Sequence, residues 1–216
     1  MKKEFNKLVR DKISEIIEEN DEYSLTRTLN DKEYEKALYD KLLVTNPWDD
    51  ENTRTRRHLL ATSVILLSQG IPILHAGQEF LRTKGGDENS YKSSDKVNHM
   101  DWSRRVEKAD CVDYVAGLIK LRKANKLFHL PTVKSIKKHM NILKADYQII
   151  VYQVEDDNYL YYVIFNGQQN SIDFQVDCGD YEILLNDCQV LTIPEKEKLS
   201  NIKVPWLSTT IIRKAK

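Results

Sequence analysis

Most of the features that announce a function outright are scarce in this sequence. No charge of one sign accumulates, because lysine plus arginine and aspartate plus glutamate number 33 each over 216 residues. A polyanion or an anionic membrane therefore finds no electrostatic footing, which excludes nucleic acid and membrane as partners on that ground. The acids and bases are interspersed, as on a solvated surface. Cysteine is rare, and three residues do not make a disulfide framework. Cys178 and Cys188 can meet across a hairpin under oxidation, but reduced thiols are the expectation. The longest apolar run, LLATSVILL at 59–67, is far too short to span a bilayer. The basic start MKKEFNKLVRDK has no apolar stretch behind it, so the expectation is no signal peptide and a cytoplasmic location. Cysteines and the five histidines lack metal-ligand spacing, and KGGD at 84–87 is not a phosphate loop, so neither metal nor cofactor is expected. Internal repeats and low-complexity tracts are absent.

What is present falls into three stretches. Residues 1–43 read as a helical segment. Phe5, Leu8, Val9, Ile13, Ile16 and Ile17 recur at helical spacing. After NDEYSLTRTLN a second helix is expected, with Asn30 as N-cap, Glu33 in the capping-box position and Tyr34, Leu38 and Leu42 on one face. Residues 44–130 alternate helix, strand and helix. TRRHLLATSVILLSQ is apolar almost all round and stops at Gly70. IPILHA then predicts a short strand buried on both faces, as in a parallel sheet. A polar loop over 77–105 follows, and CVDYVAGLIKLRKANKLF predicts an amphipathic helix with Val112, Val115, Leu118, Ile119 and Arg122 in register. Residues 131–216 alternate apolar and polar in short runs, with turns at EDDN and NGQQN, which predicts a small antiparallel sandwich or barrel-like domain. The fold class expected is α+β.

The string RRHLLATSVILLSQGIPILHAGQEFLRTKGGDENSYKSSDKVNHMDW resembles pullulanases, the α-1,6-glucan debranching enzymes of the α-amylase-type glycoside hydrolase family. The similarity runs from LYDKLLVTNP near residue 38 to the terminal VPWLSTTIIRK. It implies that 56–69 is the seventh helix of a (β/α)8 barrel, 71–76 its eighth strand, 77–105 a loop over the active-site face and 106–128 its last helix. A C-terminal β-sandwich domain would follow. Residues 1–43 instead resemble the start of MazG-like, phosphoribosyl-ATP pyrophosphatase-like proteins, through FNKLVRDKISEIIEEN and TRTLNDKEYEKALYDKLL, with Ser14 where that family commonly has proline. The chain thus reads as a fusion of two truncated pieces, either a genomic rearrangement or an assembly error.

Retaining hydrolysis of an α-glucan uses two carboxyl groups about 5 Å apart, one as nucleophile and one as acid/base. In barrels such groups sit on the ends of several strands. The resemblance implies that all three reacting carboxylates precede the matched region, so no catalytic residue is assigned. Asp31, Glu33 and Glu35 alternate with Lys32 and Lys36 and read as a solvated face. Glu79, at the expected strand end, is a strand-end support or a substrate contact. His75 is expected as a satisfied core histidine, and His58 as a surface or packing residue. Asn89, Tyr91, Asp95, Asn98 and His99 are the expected sugar contacts. DKVNH at 95–99 resembles the family's D-x-x-N-R loop, with His99 where the arginine would stand. Tyr147, Tyr152, Tyr159, Tyr161 and Tyr162 read as core and edge packing rather than a glycan platform.

Three readings follow. One is a pullulanase-derived piece without its catalytic carboxylates, inactive alone, with α-glucan as the ligand class. The second is a half that complements a separate barrel fragment, and the third a glycan-binding or interaction module. On the first, the broken barrel is expected to leave Leu59, Leu60, Val64, Ile65 and Leu67 exposed.

Overall fold

The computed structural model describes residues 36–216. The expected segment over 1–35, with the Asn30 cap, Asp31, Glu33 and Glu35, lies outside the described residues, as does nearly all of the MazG-like stretch.

The described chain runs through α1 (Leu38–Thr45), α2 (Glu51–Leu67), α3 (Asp95–Asn98), α4 (Trp102–Glu107), α5 (Ala109–Ala124) and α6 (Val133–His139). Six strands follow: β1 (Met140–Asp146), β2 (Ile149–Glu155), β3 (Tyr159–Asn166), β4 (Ile172–Asn186), β5 (Gln189–Val204) and β6 (Ser208–Ala215). They form one antiparallel sheet in the order β1-β2-β3-β6-β4-β5. The central strands are buried on both faces, because alternate residues enter two separate cores. Val154, Tyr161, Val163, Phe165 and Ile211 face the helices. Val151, Tyr162, Ile164 and Ile212 face the other way, where Leu199, Ile202 and Val204 of the long β5 cover them. The sheet thus folds over itself, which fits a β-sandwich. Tyr152, Tyr161 and Tyr162 are core residues, Tyr159 is half-buried and Tyr147 stands out at a turn.

Helix α2 starts at Asp50, whose side chain accepts the Thr53 N–H at 2.7 Å, a normal N-cap. It packs between α5 and the helix-facing side of the sheet. The Ser63 and Tyr114 hydroxyls meet at 2.7 Å across the two helices. From the sheet, Tyr152 donates to the Leu67 carbonyl at 2.7 Å. On the far flank Arg56 donates to the Trp206 carbonyl at 2.6 and 3.0 Å and lies 4.5 Å from its ring centre. Gly117 of α5 allows Val190 of β5 to approach so closely that a Cβ there would stand 2.7 Å from the Val190 Cβ.

Several expectations are corrected here. Leu59, Leu60, Val64 and Leu67 are buried, not exposed, and Ile65 is half-buried, because α5 and the sheet cover the face that the barrel was expected to hold. Residues 71–76 form no strand and join no sheet among the described residues. Ile71 and Ile73 are 92% and 84% exposed rather than buried on both faces. His75 is exposed, not a core histidine. The helices expected over 56–69 and 106–128 occupy 51–67 and 109–124, with α4 set apart before the second. All three cysteines are free: Cys111 is buried, Cys178 sits exposed within β4 and Cys188 lies in the β4–β5 turn.

Candidate functional site

The segment from Gly70 to Asp101 is built around arginines and amides that hold backbone carbonyls. At its start, Arg122 of α5 donates to the carbonyls of Leu66, Ser68 and Gly70 at 2.7, 2.8 and 2.5 Å, closing the open end of α2. At its far end, Arg82 donates to Ala76 at 3.1 Å and to the carbonyls of Asn98 and His99. The turn between them needs Gly77, with φ of +89°, because a Cβ there would stand 2.8 Å from the Arg82 side chain and 2.9 Å from the Phe80 ring. Gln78, buried, links this turn to α2. Its amide donates to the Thr62 hydroxyl at 2.9 Å and its carbonyl accepts from His58 Nε2 at 2.8 Å.

Beyond Arg82 the loop hangs from Asp40 of α1. This carboxylate is 1% exposed and accepts from the Thr83 hydroxyl and, at 2.7 Å, from the Lys84 N–H. Lys36 adds a bond to the Gly86 carbonyl at 2.7 Å and a contact to Glu88 at 3.3 Å.

The expected sugar contacts separate into two kinds. Asn98 is a structural clamp: its amide donates to the carbonyls of Ser90 and Ser93 at 2.6 and 3.0 Å. His99 is turned back onto α3, with Nδ1 2.9 Å from the Lys96 carbonyl and 3.1 Å from that of Asp95. A carbonyl only accepts, so Nδ1 carries the proton and Nε2 is left outward. Asn89, Tyr91 and Asp95 are exposed, Tyr91 at 73%, with Lys92 over its ring at 5.2 Å. Glu79 is half-buried and forms no hydrogen bond or ion pair with a described residue. The loop therefore presents Asn89, Tyr91, Asp95 and the outer face of His99 together, with Asn98 as the brace behind them. Asp40, Arg82 and Gln78 brace the loop further along, a role that only their polarity marks in the sequence.

A general acid needs a carboxyl kept protonated near neutral pH, normally by burial or a like charge. The environment here works the opposite way. Asp87 is held below the ordinary carboxylate range by the Ser93 hydroxyl and the Asn89 N–H, Asp101 by Ser103 and the Arg104 N–H, and Glu51 by Lys108. Asp49 is paired to Arg57 at 2.5 Å. Among the described residues no group of three or more His, Cys, Asp or Glu is placed to hold a metal ion.

No family model matches the chain. It is similar to the pullulanase of Bacillus subtilis (strain 168), with 42% identity over 120 residues, 56% of this chain and 17% of that protein. Among solved structures, the pullulanase from Bacillus acidopullulyticus superposes with a TM-score of 0.79 at 32% identity, over 83% of this chain and 23% of that one. A pullulanase type I from Bacillus subtilis, complexed with maltose, gives 0.78 at 33% identity, over 82% of this chain and 26% of that one. The chain thus spans about a quarter or less of the length of the relatives it matches.

Proposed function

We infer from this kinship, in which the described residues correspond to the C-terminal part of a pullulanase-type glycoside hydrolase, that the 216-residue polypeptide descends from α-1,6-glucan debranching and does not catalyse it unaided. One observation carries the reading: the likeness to pullulanases covers four-fifths of this chain but only about a quarter of the solved pullulanases, so most of a barrel lies outside the match. Residues 44–130 are read as the end of a (β/α)8 barrel and 131–216 as the β-domain that follows it. The hydrolysis requires a pair of carboxyl groups, one as nucleophile and one as acid/base, and the resemblance places those groups upstream of the matched region. The exposed Asn89, Tyr91, Asp95 and His99 form one wall of a groove for α-glucan. One wall contacts too few sugar hydroxyls to retain a chain in water. The proposal includes a cytoplasmic location, where the three thiols would stay reduced.

The second reading, a half that complements a separate barrel fragment, is favoured by the exposure of Ile71 and Ile73. Two assays test the first. Purified chain incubated with pullulan is expected to release no reducing sugar above a blank. In a native gel cast with pullulan or amylopectin it is expected to run at its sugar-free mobility; retardation would favour the glycan-binding module instead.

A further inference from the structure

Charge is balanced over the whole chain but not along it. Residues 114–145 carry eight lysines and arginines and no aspartate or glutamate, whereas 146–195 carry ten acids and no lysine or arginine. The fold offsets the second imbalance. Glu155, Asp177 and Glu182 pair with Lys216, Lys214 and Arg213 at 2.9, 3.7 and 2.6 Å, and Asp187 pairs with Arg56 at 2.6 Å. The first is left standing. Arg122 is turned inward onto carbonyls, but Lys120, Lys123, Lys126, Lys134 and Lys138 are exposed and form no ion pair with a described residue. Unmatched cations beside a concavity attract an anion, because a cleft focuses their field.

Such a concavity lies where α5 ends, lined also by His139 of α6 and by the β2–β3 turn. Its volume is about 690 Å³, within the range of small-molecule sites. Lys126 stands in its wall, and the exposed Lys123 and Lys138 precede the lining residues Ala124 and His139 in the chain. Leu127 and Leu184, both buried, give it apolar surface. The rest of the wall is polar and only partly satisfied. Tyr159, with Arg213 at 4.5 Å over its ring, has a hydroxyl that bonds to no described residue. His139 gives its Nδ1 proton to the Glu155 carbonyl at 2.8 Å, which leaves Nε2 to accept. Asp156 accepts the N–H groups of Asn158 and Tyr159 through one oxygen, both at 2.9 Å, and its other oxygen is open to a ligand hydroxyl. An unpaired ammonium beside hydroxyl-binding groups suits a ligand that is an anion at one end and a polyol at the other. None of the residues from Asn89 to His99 lines the cavity.

We propose that this cavity binds a sugar phosphate, with the phosphate on Lys126 and the sugar hydroxyls on Tyr159, His139 and Asp156. A neutral sugar lacks the ionic contact and bare phosphate lacks the hydroxyl contacts, so neither is held as well. The probe is glucose 1-phosphate, titrated into the full chain at low salt, where screening is weak, with the amide signals followed by NMR. Saturable shifts are expected at residues 124–127 and 156–159. Glucose and inorganic phosphate are each expected to bind about tenfold or more weakly than the sugar phosphate. Lys126→Met is expected to weaken the sugar phosphate about tenfold, and Tyr159→Phe about threefold. Lys126 is exposed and Tyr159→Phe keeps the ring beneath Arg213, so both variants keep the parent's amide spectrum away from the cavity.

Absence of saturable shifts with glucose 1-phosphate overturns the proposal, as do shifts that fall in the loop over 83–101 instead. So does inorganic phosphate bound as tightly as the sugar phosphate, which would mark an unspecific anion site. An affinity that either variant leaves unchanged overturns it as well, because the ligand would then lie elsewhere. Pullulan hydrolysis enters none of these readouts, so the proposal stands or falls separately from the debranching reading.

Discussion

At His58 the ring Nε2 donates to the Gln78 carbonyl at 2.8 Å, while Nδ1 is buried without a partner. Burial pushes its pKa down from 6.5 to about 4. The unfolded histidine still takes a proton below its ordinary value, so between those limits the unfolded state binds more protons than the folded one. Stability is therefore full above pH 6.5 and falls as the pH drops toward 4. The loss from this one group reaches up to about 3 kcal/mol. His58→Gln keeps a donor without the titration, so its melting temperature is expected to fall less steeply over that window than the parent's; parallel slopes would refute the assignment. Asn98 carries the second residue-scale prediction. Asn98→Ala removes two bonds from the loop interior and is expected to raise the rate of proteolytic cleavage between residues 83 and 101 severalfold, at the cost of about 1–2 kcal/mol of loop stability. An unchanged cleavage rate would mean that Asn98 does not brace the loop. These roles were only partly legible in the sequence. His58 reads in the sequence as a surface or packing residue and is buried, and the bracing bonds of Asn98 are not legible because polarity does not reveal where a side chain turns.

The helices were legible as elements because their apolar spacing survives into the packed structure. Residues 71–76 were misread because an apolar run states that a segment is to be covered, not that the cover is present. Strand β5 was missed for the opposite reason. TIPEKEKLSN at 192–201 has Pro194 and alternating charge, the marks of an edge strand that resists pairing, and these are the residues that sequence patterns assign to loops. The hairpin turns Tyr147-Gln148 and Asp187-Cys188 take positive φ at both positions without glycine, so neither carries the usual turn signal. Two predictions belong at this scale. Gly117→Ala should raise helix propensity by about 0.8–1 kcal/mol, yet the Cβ meets Val190 at 2.7 Å. Net destabilisation of about 1–2 kcal/mol is expected in urea, and it should vanish when Val190→Gly, which removes that Cβ, is the background. A gain in stability would show that α5 and β5 are less closely packed than described. Arg122→Met leaves three carbonyls without their donor and is expected to lose about 2–4 kcal/mol. A urea midpoint within error of the parent's would contradict the role given to it.

On the scale of the whole molecule, helices and sheet make one layered body whose apolar interior closes without a barrel. The faces of α2 that sequence reasoning left exposed are covered, and the unsatisfied part shrinks to the short segment between Gly70 and Ala76. That is why a polypeptide spanning about a quarter or less of the relatives it matches keeps their local fold. Chemistry does not scale in the same way, because a glycosidic bond is broken by groups contributed from several strands at once. The most direct measurement places the purified chain in molar excess over a branched maltooligosaccharide and follows the anomeric proton signals by NMR. The chain in excess removes weak binding as an explanation for slow turnover. The account predicts that the α-1,6 signal keeps its full intensity for as long as a chain-free control does; its decay with matching growth of reducing-end signals would contradict it.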